Sequence, residues 1–234
     1  VTMQLLWNGL KDAVFLLIAA DPLVISAAWR SLWISVTAVA VASVAGITLG
    51  SGLARRSFVG KRLVLLFFRV GMSLPTVLIG LLCYAMFSRR GPLGGLDLLY
   101  TPVGIIAGEF CLALPLVVTW THNALVCLDP RVAETAMTLG AGTWRRWMTY
   151  LREARASVVL ALLTAFSRCI TELGIAMMVG GNIKYRTRTL TTATALETAR
   201  GEFSRGVAMS LILLLVALLV ALVAAWWSRP GEDS

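Results

Sequence analysis

The chain has 234 residues, of which 58% are hydrophobic and only 14% charged, so most of it can be buried only in lipid or against other membrane helices. The net charge is +9, and basic residues flanking membrane spans explain most of that excess, with an anionic partner or substrate as a further source. The cations are scattered between apolar runs, which argues against a nucleic-acid-binding surface. The four cysteines and His122 lack metal-ligand spacing.

The N-terminal stretch contains an apolar run over residues 13–20 that is too short to cross a membrane. We predict that residues 1–21 form a helix lying at the membrane surface, with a cleaved signal peptide as the alternative. The run ends at Asp21, which is predicted to cap a new helix beginning at Pro22.

Five later runs reach the roughly 20 residues that cross hydrocarbon. They cover residues 32–53, 63–87, 102–125, 157–179 and 207–227. Gly46 and Gly50 form a GxxxG pattern that permits close helix packing. Pro75 and Pro115 predict kinks, which serve either shape alone or a pathway. The sequence therefore predicts an all-α polytopic membrane bundle over residues 22–230, followed by a tail at 231–234.

The basic residues set the predicted topology only weakly. Loops 54–62 and 128–156 and the C-terminal tail carry ten cations, against nine on the opposite side. If the first set is cytoplasmic, the N-terminus lies outside and the C-terminus in the cytoplasm. The cations on the outer side then need another explanation.

The loop at 128–156 is too polar to enter the bilayer, and its apolar spacing predicts two short amphipathic helices. A glycine-rich stretch, Gly140-Ala141-Gly142, separates them. Their shared apolar face, rimmed by arginines, is typical of a docking surface, and a helix resting on lipid headgroups is the alternative.

Glu134-Thr135-Ala136 followed by Gly140 resembles the EAA loop of ABC-importer permeases, with a threonine in place of the first alanine and Arg152 in place of the usual proline after a leucine. Four further segments are similar to the tungstate permeases, close relatives of the molybdate and sulfate permeases. They are SRRGPLGGL at 88–96, LLYTP at 98–102, FSRCITELGIAMMVGGNI at 166–183 and TRTLTTATALET at 187–198. The resemblance extends over about residues 30–227.

This resemblance implies a type I ABC importer permease fold in the cytoplasmic membrane. It also implies a second permease copy, two cytoplasmic ABC ATPase subunits and an extracytoplasmic oxyanion-binding protein. No Walker A motif occurs, so we expect no enzymatic activity and no cofactor on this chain, with ATP and Mg on the partner ATPase. The implied coupling residues are Glu134, Thr135, Ala136, Leu139, Gly140 and Trp144.

The implied function is import of a tetrahedral oxyanion, tungstate before molybdate or sulfate. A secondary transporter and a membrane scaffold are alternatives from other classes. The first would predict an inverted repeat and intramembrane carboxylates for ion coupling, and the sequence shows no repeat and only Glu109 and Glu172 as such carboxylates.

The fourth run carries polar residues at membrane depth. Arg168 and Glu172 are four residues apart, and they form either an ion pair that joins helices or part of an anion pathway. We predict that the helix ends at Gly180-Gly181-Asn182 and that residues 190–200 fold back as a short helix of an outer gate. The candidate pathway or gate residues are Arg168, Thr171, Glu172, Gly180, Gly181 and Asn182. Lys184, Arg186 and Arg188 are predicted to form a basic outer rim, with a plain solvated loop as the alternative.

Overall fold

A computed structural model describes residues 21–227, together with a few isolated positions before Asp21. The predicted surface helix at 1–21 and the tail at 231–234 fall almost entirely outside the described residues, so both stay predictions. Within the described part of the chain all regular structure is helical.

Within residues 21–227, ten α-helices follow one another, with a short 3-10 turn at Gly94–Leu96. They are α1 (Pro22–Arg55), α2 (Lys61–Gly71), α3 (Thr76–Phe87), α4 (Pro102–Val126), α5 (Pro130–Thr138), α6 (Thr143–Glu153), α7 (Arg155–Ile170), α8 (Gly174–Gly180), α9 (Leu190–Ala199) and α10 (Phe203–Trp227).

Of the five predicted spans, three are single helices and two are bent helix pairs. Helices α1, α4 and α10 are each long and apolar enough to cross a membrane alone. The other two spans are bent pairs, in which α2 meets α3 at 101° and α7 meets α8 at 57°. The short helices predicted at 128–156 and 190–200 are also confirmed, as α5, α6 and α9.

Local sequence fixes where the long helices begin. The Leu23 N–H donates to Asp21 Oδ1 at 2.8 Å, and Pro22 occupies the first helical turn, which confirms the predicted cap of α1. Thr101 caps α4 in the same way, accepting from the Gly104 N–H at 3.2 Å beside Pro102. Because each cap is made by a residue next to the helix start, such caps can be predicted from the sequence alone.

The core is built around the contact between α1 and α4. A Cβ added at Gly46 would lie 2.7 Å from Val117 Cβ, and one added at Gly50 would lie 2.7 Å from the Val118 carbonyl oxygen. These glycines therefore allow the two backbones to approach more closely than any side chain would permit, as the GxxxG pattern predicted.

The two prolines behave differently. Pro75 precedes α3 at the 101° bend, which confirms the predicted break in the second span. Pro115 lies inside α4, which continues unbroken from Pro102 to Val126. The Pro115 ring instead packs against the end of α2, where a Cβ at Gly71 would be 3.1 Å from its Cγ. The break between α7 and α8, in the predicted span 157–179, was not predicted.

Candidate functional site

The helices that follow the two breaks, α3 and α8, begin against each other. A Cβ added at Gly174, the first residue of α8, would be 3.1 Å from the Val77 backbone nitrogen in α3. One added at Gly80 would be 3.1 Å from the Gly174 carbonyl oxygen. The first turns of α3 and α8 are therefore in direct contact. The two interrupted spans thus have their breaks at the same height in the bundle.

Glu172 holds the second break in place. Its side chain is buried between α7 and α8, and its Oε1 accepts a hydrogen bond from the Ile175 N–H at 3.2 Å. Its backbone carbonyl accepts from the Thr191 hydroxyl of α9 at 2.8 Å. Glu172 therefore caps the start of α8 and also attaches this point to the next helix.

Arg168 and Glu172 are not brought together as an ion pair. Helix α7 ends at Ile170, so the four-residue spacing no longer places both side chains on one helical face. None of the ion pairs found among the described residues joins them, and Arg168 is exposed, as is Thr171. The interpretation of this pair as a link between helices therefore lacks its contact in this structure.

A second acidic side chain lies near Glu172. Glu109 of α4 is buried, and its Oε2 has no hydrogen-bond partner among the described residues. Ser35 of α1 and Glu172 both lie close enough to interact electrostatically with this carboxyl group. The structure therefore places Glu109 in the interior of the bundle, close to the buried Glu172.

The C-terminal end of the fourth span stops as predicted. Helix α8 ends at Gly180, and Gly181 has φ +68°, the left-handed conformation that favours glycine. The Tyr100 ring covers Gly181 so closely that an added Cβ would be 2.6 Å from Cδ1. The Tyr100 N–H also donates to the Val179 carbonyl at 2.8 Å. The chain after α3 and the chain after α8 are thus packed together.

The three cations of the predicted rim differ. Lys184 and Arg186 are exposed, as a rim requires. Arg188 is only 8% exposed, donates from Nε to Asn182 Oδ1 at 3.1 Å and lies 3.6 Å from Glu197 of α9. Arg188 is therefore a structural contact between the turn and α9. Its acidic partner, Glu197, lies nine residues later in the sequence. The local sequence around Arg188 therefore did not indicate this ion pair.

The start of α9 is also attached to α1. The Leu190 N–H donates to Ser31 Oγ at 2.7 Å, and both residues are buried. This hydrogen bond joins residues far apart in the sequence, and the pattern of a serine within an apolar helix did not reveal it.

The predicted coupling residues form one exposed hairpin. Helix α5 ends in a Schellman motif, in which the Ala141 N–H donates to the Ala136 carbonyl and the Gly140 N–H to the Met137 carbonyl, both at 3.0 Å. Gly140 has φ +67° at this turn. Ala136 is buried inside the hairpin, while the other predicted coupling residues are exposed: Glu134, Thr135, Leu139, Gly140 and Trp144. Leu139 and Trp144 are 80% and 67% exposed, an unusual state for large apolar side chains.

The hairpin is anchored to α1 by residues that sequence reasoning did not select as site residues. The Trp147 indole N–H donates to Ser51 Oγ at 2.9 Å, and the Trp144 and Trp147 rings lie 4.7 Å apart. Next to them the Arg55 guanidinium lies 5.4 Å from the centre of the Tyr150 ring. One face of α6 therefore holds the hairpin on the bundle, while the other stays exposed.

This arrangement of interrupted spans and an exposed hairpin belongs to a known class. The sequence pattern of the binding-protein-dependent transport system inner membrane component family matches residues 42–229, and the chain belongs to that family. A chain of the MetNI methionine ABC transporter, solved in inward-facing conformations, superposes with a TM-score of 0.68 at 17% identity, covering 89% of this chain and 99% of that one. The fold is therefore that of a type I ABC importer permease.

Two relatives are more specific. The tungstate uptake system permease protein TupB of Campylobacter jejuni is 37% identical over 93% of this chain and 91% of its own length. The TupB protein of Peptoclostridium acidaminophilum is 35% identical over 93% of this chain and 96% of its own. The resemblance to tungstate permeases that the sequence motifs indicated is confirmed.

Proposed function

We propose that this chain is the membrane-spanning permease subunit of an ATP-driven importer of a tetrahedral oxyanion, with tungstate as the cargo. The observation that carries the proposal is the similarity to two tungstate permeases along nearly the whole chain. Molybdate and sulfate are the competing cargoes, because these dianions have the same tetrahedral shape.

The proposed assembly contains two copies of this permease, two cytoplasmic ABC ATPase subunits and an extracytoplasmic binding protein. ATP and Mg bind the ATPase, and this chain has no catalytic role of its own. The exposed apolar residues Leu139 and Trp144 support the α5–α6 hairpin as the ATPase contact. ATP binding closes the ATPase pair, draws the two hairpins together and favours the outward-facing state.

In the proposed orientation loops 54–62 and 128–156 are cytoplasmic, the N-terminus is outside and the C-terminus is inside. Helices α3 and α8 then run outward from the two breaks, and α9 lies at the outer end. No side chain caps the start of α3, and residues 73–75 before it are exposed. The partial positive charge of this helix start, together with the exposed Arg168 and Thr171, supports an anion path beside the breaks.

The main test reconstitutes the permease with its ATPase and binding protein and measures ATP-dependent uptake of tungstate, molybdate and sulfate. We expect tungstate uptake to dominate. Glu134→Lys should abolish coupling while the chain still inserts, because Glu134 is exposed on the hairpin. Gly140→Leu should act similarly, since the left-handed conformation costs about 1–2 kcal/mol although no neighbour lies within 4 Å.

The matched control is Glu153→Lys, which reverses an exposed charge at the other end of the same hairpin. Parental uptake by Glu134→Lys would show that the hairpin is not the ATPase contact. Faster molybdate or sulfate uptake than tungstate uptake would show that the cargo assignment is wrong.

A second test concerns the path. Arg168→Gln should lower the oxyanion flux several-fold and leave the folded yield at the parental level, because Arg168 is exposed and no carboxylate within the described range pairs with it. Uptake and size-exclusion yield are measured on the same preparations, with Arg62→Gln as a control at an exposed position outside the hairpin and the breaks. An equal fall in flux and yield would contradict a role in the path.

A further inference from the structure

An open apolar groove lies between the end of α1 and the start of α6. Its volume is about 920 Å³. The apolar part of its lining comes from Leu49, Gly52, Leu53, Phe58, Trp144 and Trp147. Phe58 and Trp144 remain largely exposed, so nothing in the described part of the chain fills this space.

The groove extends from membrane depth to the membrane surface. Its deep end is at Thr48 and Leu49, and α1 ends at Arg55, so the deep end lies about 10 Å inside a helix that spans the membrane. Its other end, at Phe58, lies beyond the helix. A soluble protein docking from the aqueous side does not reach the deep end. The occupant must therefore be apolar along one part and polar at the other.

The polar end of the groove is cationic. Arg55 and Arg56 belong to its lining, which contains no acidic residue. Neither arginine has a carboxylate within ion-pair distance among the described residues. Two further cations, Lys61 and Arg62, lie five and six residues after Arg56. The polar end of the occupant must therefore carry a negative charge.

A second copy of this chain fits these charges poorly. The two loops at this end of the molecule, 54–62 and 128–156, carry nine basic and three acidic residues, so two copies meeting here would bring like charges together. Tryptophan beside arginine is typical of the interface between hydrocarbon and headgroups, and Trp147 is held there by its hydrogen bond to Ser51.

We propose that this groove binds an anionic phospholipid. One acyl chain lies along Leu49, Gly52 and Leu53, and the phosphate lies at Arg55 and Arg56. The lipid contacts both α1 and the coupling hairpin, because Trp144 and Trp147 form the opposite wall.

The test uses the full-length permease, purified in detergent, stripped of lipid and titrated with phosphatidylglycerol or phosphatidylcholine. Bound lipids are counted by native mass spectrometry. Gly52→Leu is the informative variant, because Gly52 lines the groove and a Cβ there meets nothing within 4 Å, so a larger side chain can enter the groove without disturbing the fold. Arg55→Gln with Arg56→Gln removes the cationic end. Arg89→Gln with Arg90→Gln is the control, since it removes the same charge after α3.

We expect the parent to retain one phosphatidylglycerol in preference to phosphatidylcholine. Its apparent affinity should fall about tenfold or more in Gly52→Leu and in the Arg55/Arg56 variant, and stay at the parental value in the control. Equal retention of both lipids would overturn the proposal, as would unchanged phosphatidylglycerol binding by Gly52→Leu. If Gly52→Leu keeps the lipid and loses self-association or ATPase copurification, the groove belongs to a protein partner and the proposal is wrong.

Discussion

The two bent spans reach the same level of the bundle by different means. Between α2 and α3 the chain turns by 101° at Pro75, and residues 73–75 are exposed. Between α7 and α8 it turns by 57° without a proline, and the turn is held by hydrogen bonds from Ile175 and Thr191 to the buried Glu172. The first break has a proline at its start in addition to packing contacts, whereas the second is held by contacts alone. The second should therefore be the more sensitive to substitution.

The strongest test of this comparison acts where the two breaks meet. Gly80→Leu should destabilise the fold by about 2–3 kcal/mol, because its Cβ would lie 3.1 Å from backbone atoms of Gly174 and Ile175 that cannot rotate away. Thermal unfolding in detergent measures the effect. Gly95→Leu is the control, since that glycine is exposed and has no neighbour within 4 Å. Equal stability of both variants would contradict the close contact.

A smaller effect is expected at the contact-held break. Glu172→Leu should lower the free energy of unfolding by about 1–2 kcal/mol, because it removes the cap of α8. Glu172→Gln retains an acceptor oxygen and should lose less than half of that. Chemical denaturation of the purified chain compares the two. If Gln costs as much as Leu, the negative charge and not the hydrogen bond matters.

The smallest effect is expected at Pro75. Pro75→Ala should cost about 0.4–1 kcal/mol through the greater entropy of the unfolded chain, while the angle between α2 and α3 persists because Gly71 still packs on Pro115. Spin labels at the exposed positions Leu63 and Leu82 report that angle as a distance distribution. A shift toward one straight helix would show that the proline alone enforces the bend.

Much of this architecture was predictable because its causes are local. Apolar length predicted the spans, and Asp21 beside Pro22 predicted the start of α1. The amphipathic pattern and Gly140 likewise predicted the hairpin that became α5 and α6.

The rest depends on partners that are distant in sequence. The run 157–179 contains no proline, and only the contacts of Glu172 with Ile175 and Thr191 explain its break. Arg188 was predicted as an exposed rim residue because its partner Glu197 is brought to it only by the folding of α9. Spacing alone likewise suggested pairing of Arg168 with Glu172, and the end of α7 at Ile170 separates them.

Helix α1 makes two of the long-range hydrogen bonds described above, one near each end. Ser51 accepts from the Trp147 indole N–H of the α5–α6 hairpin, and Ser31 accepts from the Leu190 N–H at the start of α9. Twenty residues of continuous helix separate these serines, a distance of about 30 Å. If both hydrogen bonds are kept, a shift of α1 along its axis would move its contacts with α6 and with the start of α9 together. Helix α1 thus physically links α6 to the start of α9 through one continuous helix.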